Sequence, residues 1–83
     1  MVPYNCRVCG LFIEGAPWGK DHKTPSYEIC PCCGVEFGNE DYTLVSARLY
    51  RSKWLNSGAD WFLPKMKPVG WHRDVQMQSV PLE

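Results

Sequence analysis

Cys6-Arg7-Val8-Cys9-Gly10 is echoed later in the chain by Cys30-Pro31-Cys32-Cys33-Gly34, and these two stretches decide the reading of the fold. Each holds two cysteines separated by two residues and closes on a glycine. Cysteines at that spacing can place both sulfurs on one ion. The glycine tolerates the left-handed backbone that the sharp turn behind them requires. Backbone N–H groups then point at the sulfurs and spread their charge. Twenty residues, 10–29, separate the pairs, giving Cys-x2-Cys-x20-Cys-x2-Cys, a spacing close to that of four-thiolate zinc sites. Cys6, Cys9, Cys30 and Cys33 are therefore the expected ligands of one ion, with zinc the first choice. Two redox pairs or two disulfides are the competing readings. A thioredoxin-type pair, however, comes singly and in a larger α/β setting than this chain offers.

The fifth cysteine, Cys32, sits beside Cys33 and is left over once four ligands are assigned. A free thiol is the plain reading. A ligand exchange with Cys30 or Cys33, or a redox-sensitive thiol beside a cation, are the sharper ones. A vicinal disulfide would strain the turn and remove a ligand.

At 83 residues the chain has length for one domain, and a core of that size is marginal unless a metal or disulfides reinforce it. With 45% apolar and aromatic residues and 22% charged, it has the composition of a folded globular protein. Pairs of cysteines in a chain with no visible signal peptide and no apolar run long enough to span a bilayer predict a cytoplasmic protein with no membrane partner. Net charge is zero but divided: residues 1–42 sum to −3 and residues 43–83 to +3. The halves would attract each other, or the basic half would meet an acidic partner.

Working outward from the cysteines, Leu11-Phe12-Ile13 leaves the first pair as a short strand and Ser26-Tyr27-Glu28-Ile29 enters the second as its partner strand. Val35-Glu36-Phe37 is a further extended stretch, ended by Gly38-Asn39. From Thr43 to about Asn56 the pattern turns helical, with Leu44, Ala47, Tyr50 and Trp54 on one face, Asp41 or Thr43 as cap, and Gly58 at the stop. Asp60-Trp61-Phe62-Leu63 is an apolar cluster closed by Pro64. Trp71 to about Ser79 forms a second, weaker helix with Trp71 and Val75 one turn apart.

Tyr4-x-Cys6-x-x-Cys9-Gly10 followed by Cys30-Pro31-x-Cys33-Gly34-Val35-x-Phe37 resembles the rubredoxin-type double knuckle, and it is similar to the small bacterial cysteine-rich CPCC proteins, which have no established function. The resemblance covers residues 4–37. It implies Cys6, Cys9, Cys30 and Cys33 as ligands and a rubredoxin-like zinc ribbon as the fold. Two departures argue against the iron and electron transfer of rubredoxins. The segment between the knuckles is shorter and not aspartate-rich, and the basic helical half has no counterpart. The first knuckle also departs from the CPCC pattern, being Cys-Arg-Val-Cys. The expected fold class is thus a small α+β metal-bound domain over residues 1–83. It comprises a ribbon of two knuckles and short strands over 1–38 and one or two helices over 39–83, packed on or beside the ribbon.

A site closed by four cysteines leaves no position for water or substrate, so it does not catalyse by the usual zinc route. No phosphate-binding glycine loop or metalloprotease spacing occurs. His22 and His72 read as solvated or packing residues, since four cysteines complete the ligand set. The expectation is a non-catalytic module with structural zinc, mediating a protein–protein interaction. Two alternatives stand beside it. One is a nucleic-acid-binding module using the basic half, with Arg48, Arg51, Lys53 and Trp54 as a stacking-plus-phosphate surface aided by Lys65, Lys67 and Arg73. The other is a rubredoxin-like carrier of one electron on iron. The remaining aromatics are expected in the core.

Overall fold

A computed structural model describes residues 4–81. The two knuckles fold alike. In the first, Cys6 N–H donates to Leu11 O (2.8 Å) and Gly10 N–H to Cys6 O (3.0 Å). In the second, Cys30 N–H donates to Val35 O (2.9 Å) and Gly34 N–H to Cys30 O (2.9 Å). Gly10 and Gly34 occupy nearly the same left-handed conformation, φ 85° and 82°. Each turn is closed by an isolated antiparallel bridge at the equivalent place, Asn5 with Phe12 and Ile29 with Glu36.

Those bridges are all that becomes of the expected sheet. Among the described residues there is no β-strand, so the rubredoxin-like ribbon with its strands, and the α+β class with it, does not form. Leu11-Phe12-Ile13 and Ser26-Tyr27-Glu28-Ile29 do not partner each other. Each folds back on its own knuckle. The reason lies in the backbone. Beyond its bridge the second ladder meets Tyr27 at φ 59° and Gly38 at φ 100°, left-handed conformations that cannot continue an extended strand. Beyond the first, Ile13 N–H closes on Tyr4 O and Ala16, at φ 53°, turns the chain away.

Helix α1 spans Leu44–Asn56. Thr43 is its N-cap, and Thr43 and Ser46 satisfy each other's backbone N–H groups in a capping box. Ser57 caps the C-terminus, and the chain then turns through Gly58 at φ 108°. The anticipated inward face holds for Ala47, Trp54 and, partly, Tyr50, while Leu44 is exposed. A 3-10 turn covers Pro64–Met66. Helix α2 is only Arg73–Met77, shorter than the sequence pattern suggests, and Val75 faces solvent.

The core is one cluster drawn from both parts of the chain. The five cysteines, Val8, Val35 and Phe37 meet Ala47 and Trp54 of α1, with Ala59 and Trp61. Trp61 and Trp71 pack edge to face at 5.6 Å between centroids and so pinch together the ends of an exposed loop, residues 62–70. Its start is stitched to the second knuckle by Phe62 N–H to Cys32 O (2.8 Å) and Leu63 N–H to Pro31 O (2.9 Å). Of the expected cluster 60–63, Trp61 is therefore buried while Phe62 and Leu63 are exposed.

Candidate metal centre

Cys6, Cys9, Cys30 and Cys33 are all buried, and their four sulfurs lie within 4.8 Å of one another. Two approaches cross between knuckles: Cys6 Sγ to Cys33 Sγ is 3.7 Å and Cys9 Sγ to Cys30 Sγ is 3.6 Å. A tetrahedron of thiolates about 2.3 Å from a central ion has edges of about 3.8 Å. The cluster therefore has the size of a four-thiolate site and could hold a metal ion. None of the five cysteines is in a disulfide. Val8 N–H points at Cys6 Sγ (3.4 Å), the kind of N–H···S contact the knuckle geometry calls for.

The thiols hydrogen-bond to one another across the knuckles. Hydrogen bonds from Cys33, Cys6 and Cys9 pull Cys30 far below the ordinary thiol range. The same sharing pushes Cys9 and Cys33 up, chiefly through Cys30. Such a cluster concentrates negative charge on few sulfurs in an apolar interior, a situation that a divalent cation relieves.

Cys32 is fully buried but stands outside the four. Gln76 Nε2 donates to its Sγ at 3.4 Å and to the Cys9 carbonyl at 3.1 Å. Cys32 is also pulled below the usual thiol range, first by its hydrogen bond with Cys9 and also by that from Gln76.

The helical part frames the knuckles. Tyr50 and Arg51, neighbours on α1, each hold one. Tyr50 Oη donates to Cys33 O at 3.3 Å, and burial pushes its phenol up. Arg51 Nε donates to Val8 O (2.7 Å) and its terminal nitrogen to Arg7 O (2.8 Å). Arg7 itself lies 3.8 Å over the Trp18 ring. Trp18 Nε1 donates to Asp41 Oδ2 (2.9 Å), and Asp41 Oδ1 accepts from Gly38 N–H (2.7 Å). Asp41 is fully buried and, rather than capping α1, anchors the loop before it.

Arg48, Arg51, Lys53 and Trp54 do not form one stacking surface. Trp54 is 6% exposed, and its indole N–H donates to Asp60 O at 2.9 Å. Arg51 is turned onto the first knuckle, while Arg48 and Lys53 are exposed. His22 packs against Tyr4 at 5.8 Å between centroids, and His72 is exposed just before α2. Sequence reasoning missed Gln76 and read Asp41 only as a possible helix cap. Neither belongs to a motif, and the one signal near Gln76 was an apolar spacing that pointed to Val75 instead.

No protein-family profile matches the chain, and no solved structure matches it. Two curated proteins of Bacillus subtilis strain 168 are similar. YoaQ is 38% identical over 71 residues, and YozI is 28% identical over 71 residues. Each alignment covers 66% of this chain and 59% of the relative, so the chain spans less than two thirds of the relatives it matches. Both relatives are described as uncharacterized. No helix among the described residues is long and apolar enough to cross a membrane.

Proposed function

We propose that this protein is a non-catalytic metal-binding module in which one structural zinc ion, held by Cys6, Cys9, Cys30 and Cys33, fixes a surface that binds another protein. The observation that carries the reading is the sulfur spacing across the knuckles, 3.6 and 3.7 Å, which suits a closed tetrahedral site. Four thiolates suit zinc or iron, and the ion supplies cross-linking here rather than chemistry on a substrate. The loop 62–70 is the partner surface. It exposes Phe62, Leu63, Met66 and Val69 around Lys65 and Lys67, with no acidic residue from Trp61 to Arg73. Clustered exposed apolar groups among cations fit a protein surface that pairs an apolar patch with acidic side chains.

Metal analysis and native mass spectrometry of the full chain purified from cells supplied with both metals test the first part. One zinc per chain is expected, whereas a red protein with one iron per chain would overturn the zinc assignment. The second part is tested by capture with the metal-loaded chain beside its Met66→Glu and Lys65→Glu variants. One dominant protein should bind the parent and be lost from both variants at unchanged metal content. Capture indifferent to those substitutions removes the loop from the interface.

A further inference from the structure

Gln76 touches both knuckles from outside the sulfur cluster. Its Nε2 donates to the Cys9 carbonyl of the first (3.1 Å) and to Cys32 Sγ of the second (3.4 Å), contacts that span 67 and 44 positions of sequence. A primary amide carries two N–H groups, so both contacts can be made together. The remaining atom of the amide is held as well, since Trp71 Nε1 donates to Gln76 Oε1 at 2.8 Å. Trp71 in turn packs on Trp61. The backbone of Gln76 is seated just as closely: a β-carbon at Gly10 would strike its carbonyl oxygen.

We propose that Gln76 is a positioning residue of the metal centre, an amide that ties the two knuckles together and keeps Cys32 out of the ligand set. Two consequences of the geometry support this. The bond to the Cys9 carbonyl fixes the turn that presents Cys9 Sγ, and the bond to Cys32 fixes the turn that presents Cys33 Sγ. One amide thereby bears on both knuckles from outside the ligand set. The Cys32 sulfur takes a hydrogen bond from the amide of α2, while the four other sulfurs converge. Outer residues of this kind typically alter metal retention by about 10–100-fold. The inference rests on the metal-binding reading proposed above.

The two are separated by Co(II) as a spectroscopic probe in the full chain. Wild type should show the intense absorption of tetrahedral four-thiolate cobalt, and its absence overturns the metal reading itself. Loss of that absorption in excess EDTA then reports retention in wild type, Gln76→Ala and Gln76→Glu. Gln76→Glu is the decisive variant, because its carboxylate can still accept from Trp71 but has no N–H for Cys9 or Cys32. Both variants should lose cobalt about 10–100-fold faster than wild type. Amide exchange across Arg73–Met77 in Gln76→Glu should stay at the wild-type level. A Gln76→Glu protein that keeps cobalt as long as wild type overturns the proposal. So does one whose faster loss is matched by lost protection of α2, since the amide would then act only by docking the helix.

Discussion

The Arg51 guanidinium lies 2.7 Å from the Val8 carbonyl, so a cation placed by sequence on a solvent-facing surface instead fastens α1 to the first cysteine knuckle. Its second bond, to Arg7 O, puts both residues between Cys6 and Cys9 under the control of one side chain. Together with Tyr50 on Cys33 O, this makes α1 a frame for the cluster. Metal binding and the folding of the helical part should therefore be coupled.

That coupling is open to direct measurement. Binding free energies at structural zinc sites run to about 10–16 kcal/mol, more than a core of this size supplies alone. Removing the metal with a chelator, or substituting Cys9→Ser or Cys30→Ser, should abolish most of the helical circular dichroism of α1 and red-shift tryptophan emission as Trp54 becomes hydrated. A metal-free Cys9→Ser protein with native-like circular dichroism would show that the frame stands without the ion.

Acid should release the metal, and the sign follows from the thiols. The metal-free chain is expected to unfold, and unfolded cysteine thiols carry protons at neutral pH. A loaded site needs thiolates, so Cys6, Cys9, Cys30 and Cys33 give up their protons on loading. The loaded folded state thus binds fewer protons than the unfolded chain, and stability from the metal rises with pH. In the loaded state thiol pKa values are depressed. The contribution is full above the ordinary thiol range, declines as pH falls through neutrality, and is gone once the loaded cluster itself is protonated. Each proton released on loading predicts that apparent affinity falls by about 10-fold per pH unit near neutrality. A competition titration with a chromophoric chelator at several pH values measures this slope, and a flat profile contradicts it.

The four-cysteine cluster and α1 were legible because each is written in local spacing: two Cys-x-x-Cys-Gly turns, and an inward face of Ala47, Tyr50 and Trp54 behind a Thr43 cap. The strands were misread because Ser26 to Ile29 alternates like a strand, while Tyr27 adopts φ 59° opposite the turn at Gly38 and breaks the ladder after one bridge. Gln76 and Asp41 were illegible for a different reason. Each is a single polar residue with a key partner far away in sequence, Trp18 for Asp41 and Cys9 and Cys32 for Gln76, and no periodicity marks such a contact. Trp54 carried two readings, core or stacking surface, and only its packing beside Ala59 and Trp61 decides between them.

Gly10 and Gly15 make a matched pair for testing the knuckle. At Gly10 an alanine would adopt φ 85° and its β-carbon would meet the Gln76 carbonyl oxygen and, at 3.0 Å, Val80 N. At Gly15 there is open space. The left-handed backbone alone costs about 1–2 kcal/mol, and the collision with α2 adds to it. Gly10→Ala should lower stability by roughly 2–4 kcal/mol, while Gly15→Ala changes it by less than about 0.5 kcal/mol. Urea denaturation of the two metal-loaded variants distinguishes them, and equal midpoints would remove α2 from its place on the first knuckle.

Asp41 tests whether the loop before α1 is held electrostatically. Its carboxylate accepts from the Trp18 indole and from Gly38 N–H with no exposure to solvent, and Arg7 lies on the Trp18 ring. Hydrogen bonds to a charged group contribute about 1.5–3 kcal/mol, and a stranded buried donor costs about 1–3 kcal/mol. Asp41→Ala strands two donors and should destabilise the chain by roughly 3–5 kcal/mol. Asp41→Asn keeps one oxygen acceptor and places an NH2 against one of the two donors, so it should fall between alanine and wild type. Chemical denaturation followed by tryptophan emission gives the ranking. Because the hydrogen bonds of Asp41 go to Arg7, Trp18 and Gly38 and not to the sulfurs, the cobalt spectrum of the folded Asp41→Asn protein should stay that of wild type; a shifted spectrum would mean that the loop also sets the geometry of the sulfurs.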